Sequence, residues 1–380
     1  MSGKLFSRRQ LLKSAGVTLG AISVSPVLAP TVLSAAAAAL PNASVSPIKD
    51  HAAARGLLYG AATEHGRLEK DPQFAKLFAE QCGLLVPEGE LKWRTLRPSP
   101  DSFNFAPADA LLDFTRQHNM KFRGHVLIAH DPYPDWFNSF VNASNARKVM
   151  VDHIRAVAGH YAGKMQSWDV VNEVLYPQDK RSDGLRNTPW VRYIGPEYLD
   201  IAFHTAREMD PNALLVWNEN WLEEDTESGD FKRKCFLEQA KRLLKNNVPL
   251  QAVGLQAHLV AGHPGIAGPH FQGFLHQVSD LGLKILVTEL DVRDGSLPAA
   301  IGPRDEGVAA LYSQFLSAVL VHGSAVAVLT WGLSDRYTWL NKFSPRSDGL
   351  PVRGLPFDDA LQPTPAYTAL IKAFDSAPPR

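Results

Sequence analysis

WDVVNEVLYP, Trp168 to Pro177, begins as a β-strand and then abandons the pattern that makes one. Val170 and Val171 suit a pleated, half-buried surface, yet an amide and a carboxylic acid, Asn172 and Glu173, follow where the strand should be ending. A carboxylate closing an apolar run is costly to desolvate unless it is paired or used. The arrangement recurs along the chain. GLLYGAAT (56–63), GLLVPE (83–88), KFRGHVLIAH (121–130), MQSWDVVNE (165–173), ALLVWNENW (213–221), AVGLQAHL (252–259), KILVTELDV (284–292) and AVAVLTWGL (325–333) all read as strands. Between them lie stretches of helical period such as DPQFAKLFAEQ, PADALLDFTRQH, SNARKVMVDHIRAVAGHYAG and EGVAALYSQFLSAVLVHG. Strand then helix, eight times over, predicts an α/β fold, a (β/α)8 TIM barrel. A doubly wound open sheet is the alternative, and the lack of a glycine-rich phosphate turn after any strand weighs against it.

In such a barrel the side chains at the C-terminal strand ends face the active site, and residues earlier in each strand pack the interior. The polar residues gather at those ends: Glu88; His125 and His130; Asn172 and Glu173; Asn218 and Asn220; Gln256 and His258; Glu289 and Asp291; with Trp331 on the last. Glu173 and Glu289, on the fourth and seventh strands, can be brought across one pocket by the curvature of the barrel. Paired carboxylates in a cleft are the minimum apparatus for glycoside hydrolysis. Spacing alone leaves open that they are two unrelated surface acids. His125 and His130, five apart on one strand, are expected on opposite faces and so are not a chelating pair. No set of His, Cys and carboxylates has the spacing of a metal site, and no cofactor motif occurs.

Composition narrows the remaining classes. MSGKLFSRRQLLKSAG, followed by a modestly apolar run and SAAAAAL, resembles a twin-arginine export signal over residues 1–39, with residues 40–380 left as one catalytic domain. The expected partners are therefore the twin-arginine machinery and a location in a periplasm or outside the cell. The whole chain balances 39 basic against 39 acidic residues, and the leader holds Lys4, Arg8, Arg9 and Lys13 without an acid, leaving 35 against 39, a net of −4. A mildly acidic surface argues against nucleic acid. No segment is long and uninterrupted enough to span a bilayer, so the mature form is expected to be soluble. Cys82 and Cys235 are too few for a disulfide framework and read as packed thiols.

Six segments in register resemble glycoside hydrolase family 10, the retaining endo-β-1,4-xylanases: PEGELKW, RGHVLIAH, WDVVNE, GLQAHL, VTELDV and WGLSDRYTWL. The likeness extends over nearly all of the chain after the leader. It implies a polysaccharide substrate, xylan or a related β-1,4-glycan, and a monomeric enzyme. It implies Glu173 as general acid/base, Glu289 as nucleophile, His258 and Asp291 as the pair that orients the nucleophile, and Asn172 as a hydrogen-bond partner of a sugar 2-hydroxyl. Glu88, Lys92, His125, Gln256, Trp331 and Trp339 match sugar-binding positions, and Asn218, expected with them on the substrate side, matches an asparagine of a short segment supporting the acid/base.

The departures fall in the groove. Where the family usually has a tryptophan before the second histidine of the third strand, this chain has Ala129, and Gly89 replaces a usual asparagine. Two small residues imply a roomier pocket and either weaker binding or another β-linked backbone, such as a bacterial exopolysaccharide. A non-catalytic glycan-binding barrel is the reading from a different class, and the presence of both glutamates weighs against it.

Overall fold

The computed structural model describes residues 46–380, and the leader expected over residues 1–39 lies outside the described residues. Among the described residues nine strands occur in chain order: β1 (Leu58–Thr63), β2 (Leu84–Pro87), β3 (Lys121–Gly124), β4 (Ser167–Asn172), β5 (Leu214–Glu219), β6 (Ala252–Leu255), β7 (His258–Val260), β8 (Lys284–Arg293) and β9 (Ala325–Thr330). All pairings are parallel. β1 meets both β2 and β9, and β6 meets β8, so eight strands close into a barrel. β7 stands apart, paired only to the end of β8 through His258–Asp291, Leu259–Val292 and Val260–Arg293.

Strands covered on both faces should read as continuous apolar runs, and β2, β4 and β6 are buried along their whole length. Leu84, Val86, Val216, Leu286, Ala327 and Leu329 pack with one another and with Trp331 inside the ring, while a larger apolar layer joins the strands to the helices outside. The helix Pro72–Gln81 shows how local chemistry sets an element: Asp71 caps it by accepting from the Phe74 amide (3.0 Å), proline occupies its first position, and Phe74 and Phe78 face inward. Cys82 and Cys235 are free and buried, and burial pushes both thiols up, that of Cys235 to about 11. Among the described residues no helix is long and apolar enough to cross a membrane.

The register shifts in β4 against β5 between Asp169 and Val171 and twice in β8 against β9, and two further strands break the period-2 reading outright. KFRGHVLIAH is a ladder only to Gly124, where the ring of Trp168 lies so close that a Cβ would meet it at 2.0 Å. Gly124 pairs with Trp168, but Ile128 next pairs with Val171, so four residues of one strand run against three of the other. The extra residue reverses the alternation. AVGLQAHL likewise breaks after Leu255, and Ala257 takes a left-handed backbone (φ 61°) before β7 begins. His258 thereby leaves the barrel ladder and is set beside Asp291.

Candidate active site

Glu289 sits near the middle of β8, buried to 6% exposure, and is held from two sides. His258 donates through Nε2 to Glu289 Oε2 (3.1 Å) and through Nδ1 to Asp291 Oδ1 (2.8 Å). Glu289 and Asp291 present one face because strand side chains alternate. Trp339 closes this side by donating its indole N–H to Asp291 Oδ2 (2.7 Å). Burial works against a charged imidazole, but Asp291 first and Glu289 second raise His258 to about 10, so it is an imidazolium at neutral pH. Burial would also raise Glu289; the His258 hydrogen bond, with the charges of His125, His258 and Lys92, overcomes this and brings it to about 2.

The other carboxylate oxygen of Glu289 accepts from Asn218 Nδ2 (2.7 Å). The Asn218 amide is fully used: Nδ2 also donates to Asn172 Oδ1 (2.9 Å), and Oδ1 accepts from Thr288 Oγ1 (2.6 Å). Its fit requires Gly254, where a Cβ would stand 2.2 Å from Asn218 Oδ1. Asn218 is fully buried, which corrects its expected sugar-binding place: it lies under Glu289 and Asn172, shielded from any sugar. Only its carbonyl serves Glu173, accepting that residue's amide (3.0 Å).

Glu173 is more open, with its side chain 23% exposed. Its backbone is left-handed (φ 53°), strain that a non-glycine residue keeps only where its surroundings impose it. Asn218 O takes its amide, and Arg186 Nε donates to its carbonyl (2.8 Å). Gln256 Nε2 bridges Glu173 Oε1 (3.0 Å) and Asn172 Oδ1 (3.1 Å). A continuous hydrogen-bonded path thus runs Glu173, Gln256, Asn172, Asn218, Glu289. Because two donors occupy Asn172 Oδ1, the Asn172 amino group is the end left for a ligand.

The histidines correct another expectation. The bulge in the third strand brings His125 and His130 to the same side, one beside each carboxylate. His125 Nδ1 lies 2.9 Å from Asp169 Oδ2 and 4.0 Å from Glu289 Oε1, and His130 Nδ1 lies 3.7 Å from Glu173 Oε2. Burial, then the Arg186 charge, lowers His130 and favours its neutral form.

The remaining predicted residues line the approach. Lys92 Nζ stands 5.6 Å from the centre of the Trp331 ring, which meets His125 edge-on at 5.3 Å. Trp339 tilts against His258 at 5.1 Å. Glu88, expected to bind sugar hydroxyls, is gripped by Arg67 through two bonds (2.5 and 3.2 Å), so only its unused lone pairs remain. Burial nonetheless raises its pKa, opposed by Arg67.

Several residues of the site went unremarked in the sequence. Asp169 holds His125 and pairs with Arg123, both buried inside the ring. Thr288 orients Asn218, and Arg186 supports Glu173 and covers Tyr176 at 4.1 Å. Glu219 and Lys232 form a fully buried ion pair (2.8 Å) in which Glu219 also accepts the Leu175 amide (2.9 Å), tying down the segment after Glu173. The available signal was a polar residue within an apolar strand: Asp169 two before Val171, Thr288 just before Glu289.

Known proteins resemble the chain along most of its length. A β-1,4-xylanase of Dictyoglomus thermophilum is 32% identical over 329 residues, 82% of this chain and 87% of that one. Endo-1,4-β-xylanase 3 of Hypocrea jecorina is 31% identical over 317 residues, 83% of this chain and 82% of its own. Among solved structures, native xylanase 10B from Thermotoga maritima superposes with a TM-score of 0.78 at 28% identity, covering 87% of this chain and 98% of that one. Xylanase 10B from Thermotoga petrophila, solved with xylobiose, has the same TM-score and identity over 87% of this chain and 97% of that one. Residues 47–373 match the sequence profile described as Glycosyl hydrolase family 10, in keeping with the closed parallel barrel, and the chain belongs to that family.

Proposed function

We propose that this chain hydrolyses the β-1,4-linked backbone of xylan with retention of anomeric configuration, Glu289 acting as nucleophile and Glu173 as general acid/base. The observation that carries this reading is the hydrogen-bonded path from Glu173 to Glu289 with an imidazolium clamped behind one end. A nucleophile must be ionised and aimed, and His258 and Asn218 do both for Glu289. In the first step a Glu289 oxygen bonds to the anomeric carbon while the glycosidic C–O bond breaks, and Glu173 gives its proton to the departing oxygen. In the second, Glu173 takes a proton from water, whose oxygen displaces Glu289. The Asn172 amino group, turned outward by the use of its oxygen, donates to the 2-hydroxyl as positive charge grows on the ring.

The kinship with xylanases, one of them solved with xylobiose, supports xylan as the backbone. A roomier groove favours a second reading, another β-linked polysaccharide: Ala129 stands beside His130, and a side chain added at Gly89 would first meet only Glu64 Oε1, at 3.6 Å. Purified protein incubated with xylan, glucomannan, mixed-linkage glucan, cellulose and a bacterial exopolysaccharide, with products weighed by mass spectrometry and their anomers followed by NMR, separates the two. β-Configured xylo-oligosaccharides support the first reading. Silence on xylan with cleavage of the exopolysaccharide replaces it with the second, and an α-configured first product rejects the retaining roles of both glutamates.

The N-terminal residues 1–39, with Arg8 and Arg9 ahead of a modestly apolar run, support export through the twin-arginine machinery to a periplasm or the exterior. Replacing both arginines by lysine should hold the protein in the cytoplasm on fractionation; unchanged export would reject that route.

A further inference from the structure

A second concavity opens among the segments that follow β8 and β9, on the strand-end rim that carries the carboxylates. Its volume is about 760 Å3. Ile301 and Arg304 line it from the first segment, Asp335, Arg336, Arg353 and Asp359 from the second, the last an exposed carboxylate set against three guanidinium groups. Asn341, two residues beyond Trp339, belongs to its wall, yet no step of the hydrolysis draws on it.

Its chemistry is that of an anion receptor. The twenty-residue helix Ile301–Leu320 starts here with Ala300 at its cap, no side chain accepting from its first amides and no acid in its first turn. Pro303 has no N–H and the Arg304 amide donates to the Ala300 carbonyl (3.2 Å), so among the described residues the Ile301 and Gly302 amides are the ones left without an acceptor, and this positive end meets the cavity. Three guanidinium groups share the wall. Arg336 is tied to Asp71 (2.6 Å) and to the Asp359 carbonyl (2.7 Å), and Arg353 grips Asp305 at 2.7 and 2.8 Å. These bonds fix both planes and leave Arg336 Nη2 and Arg353 Nη1 without an acceptor among the described residues. Arg304 is only 2% exposed; its Nη1 reaches the Pro351 carbonyl at 3.4 Å, and its Nε makes no hydrogen bond. Its nearest carboxylate, Asp294 at 3.6 Å, is shared with Arg346 at 3.5 Å.

Asp335 does not oppose a negative guest. One of its oxygens accepts the Gly354 and Leu355 amides (2.9 and 3.0 Å), and the other has no partner. Burial, only partly countered by Arg353, holds it well above the usual carboxylate range. A deeply buried arginine and a buried carboxyl, each with an unsatisfied polar atom, are costly without a ligand. In (β/α)8 enzymes the loops after the last two barrel strands, with the start of a short extra helix, recurrently hold phosphate, and here the long helix Ile301–Leu320 stands in that place.

Size and charge choose among anions. The volume would hold a hexose, exposed Ile301 and Leu350 offer apolar surface to a sugar ring, and the carboxylates already paired with the arginines limit the positive charge left for a dianion. We infer that this cavity binds the carboxylate of an acidic sugar carried as a substituent on the polysaccharide cleaved in the main groove. The source of that sugar rests on the glycanase reading above; the receptor itself does not.

Calorimetric titration of the Glu289→Gln protein with glucuronate, glucose and inorganic phosphate tests the receptor apart from turnover. Glucuronate is expected to bind and glucose not. Ile301→Glu, at a position 59% exposed, sets a carboxylate over the helix start and should weaken glucuronate about tenfold, the loss of one charge-assisted contact; Arg336→Gln should do likewise. Absence of glucuronate binding, preference for phosphate, or binding undiminished in both variants would overturn the proposal. With Glu289 intact, Ile301→Glu should lower kcat/KM on a glucuronate-substituted glycan several-fold relative to its unsubstituted backbone, and an unchanged ratio would also overturn it. Protein inert on every glycan yet binding glucuronate would reject the glycanase reading and leave the receptor standing.

Discussion

The two glutamates live in different surroundings, and the contrast is the chemistry. Glu289 is almost fully buried, with each oxygen held by a donor whose own position is fixed: His258 by Asp291 and Trp339, Asn218 by Thr288. Glu173 is about one quarter exposed, bonded at one side-chain oxygen by Gln256, with His130 and Arg186 standing off at 3.7 and 3.8 Å. A group that bonds to carbon gains from immobility and a settled charge. A group that gives and regains a proton must stay in reach of water.

That contrast breaks most visibly in catalysis. Glu289→Ala should lower kcat about 10,000-fold or more on every substrate. Glu173→Ala should cost about 100- to 10,000-fold on polysaccharide but far less in the first step with a dinitrophenyl glycoside, whose leaving group needs no proton. Equal damage on both substrates, read by stopped-flow release of the phenol, would assign Glu173 another role. Next in size, Asn218→Ala removes a charge-assisted bond worth about 1.5–3 kcal/mol and should reduce kcat roughly 10- to 100-fold, with KM changed less. A pure rise in KM would place Asn218 against the sugar after all.

The protonation of the clamp sharpens the comparison further. His258→Asn removes the first hydrogen bond that lowers Glu289, so the acid limb of kcat/KM should move up from near pH 2 by about 1–3 units. Linkage gives a matching stability profile. Glu289 falls from 4.5 to about 2 on folding, a contribution complete above its unfolded value and lost as pH drops through about 2. His258 rises from 6.5 to about 10, a contribution complete below its unfolded value and lost as pH climbs through about 10. Together they stabilise most between about pH 4.5 and 6.5, and a denaturation series in which His258→Asn lost as much at pH 9 as at pH 5.5 would sink the assignment. The smallest effect belongs to Trp339→Phe, which keeps a ring and removes the bond to Asp291, a loss of about 1 kcal/mol and a few-fold in kcat/KM.

Much of this was legible beforehand, for reasons that also mark the limit. Apolar runs alternating with helical periods placed the helices Pro72–Gln81 and Ala106–Gln117 within a residue or two of their bounds. The order of strand-end polar residues matches where the barrel gathers them. Period-2 reasoning failed at RGHVLIAH and GLQAHL because a bulge and a left-handed residue leave no trace in hydropathy; only pairing partners reveal them. Asn218 was misplaced because sequence order cannot say which side of a strand end a short amide chooses. Asp169, Thr288 and Arg123 were passed over since a polar residue inside a buried strand looks like noise until its partner across the ring is known.

The one surplus residue between Gly124 and Ile128 makes this enzyme vulnerable to a kind of mutation that substitution scans never sample. A chain shortened by one there would run as a more regular ladder against β4, by every local measure a better strand. It would also turn His130 toward the surrounding helices and strip Glu173 of its nearest imidazole. Codon deletions in this short window should therefore yield soluble, well-folded and nearly inert protein, so the number of residues at this point counts for as much as their chemistry.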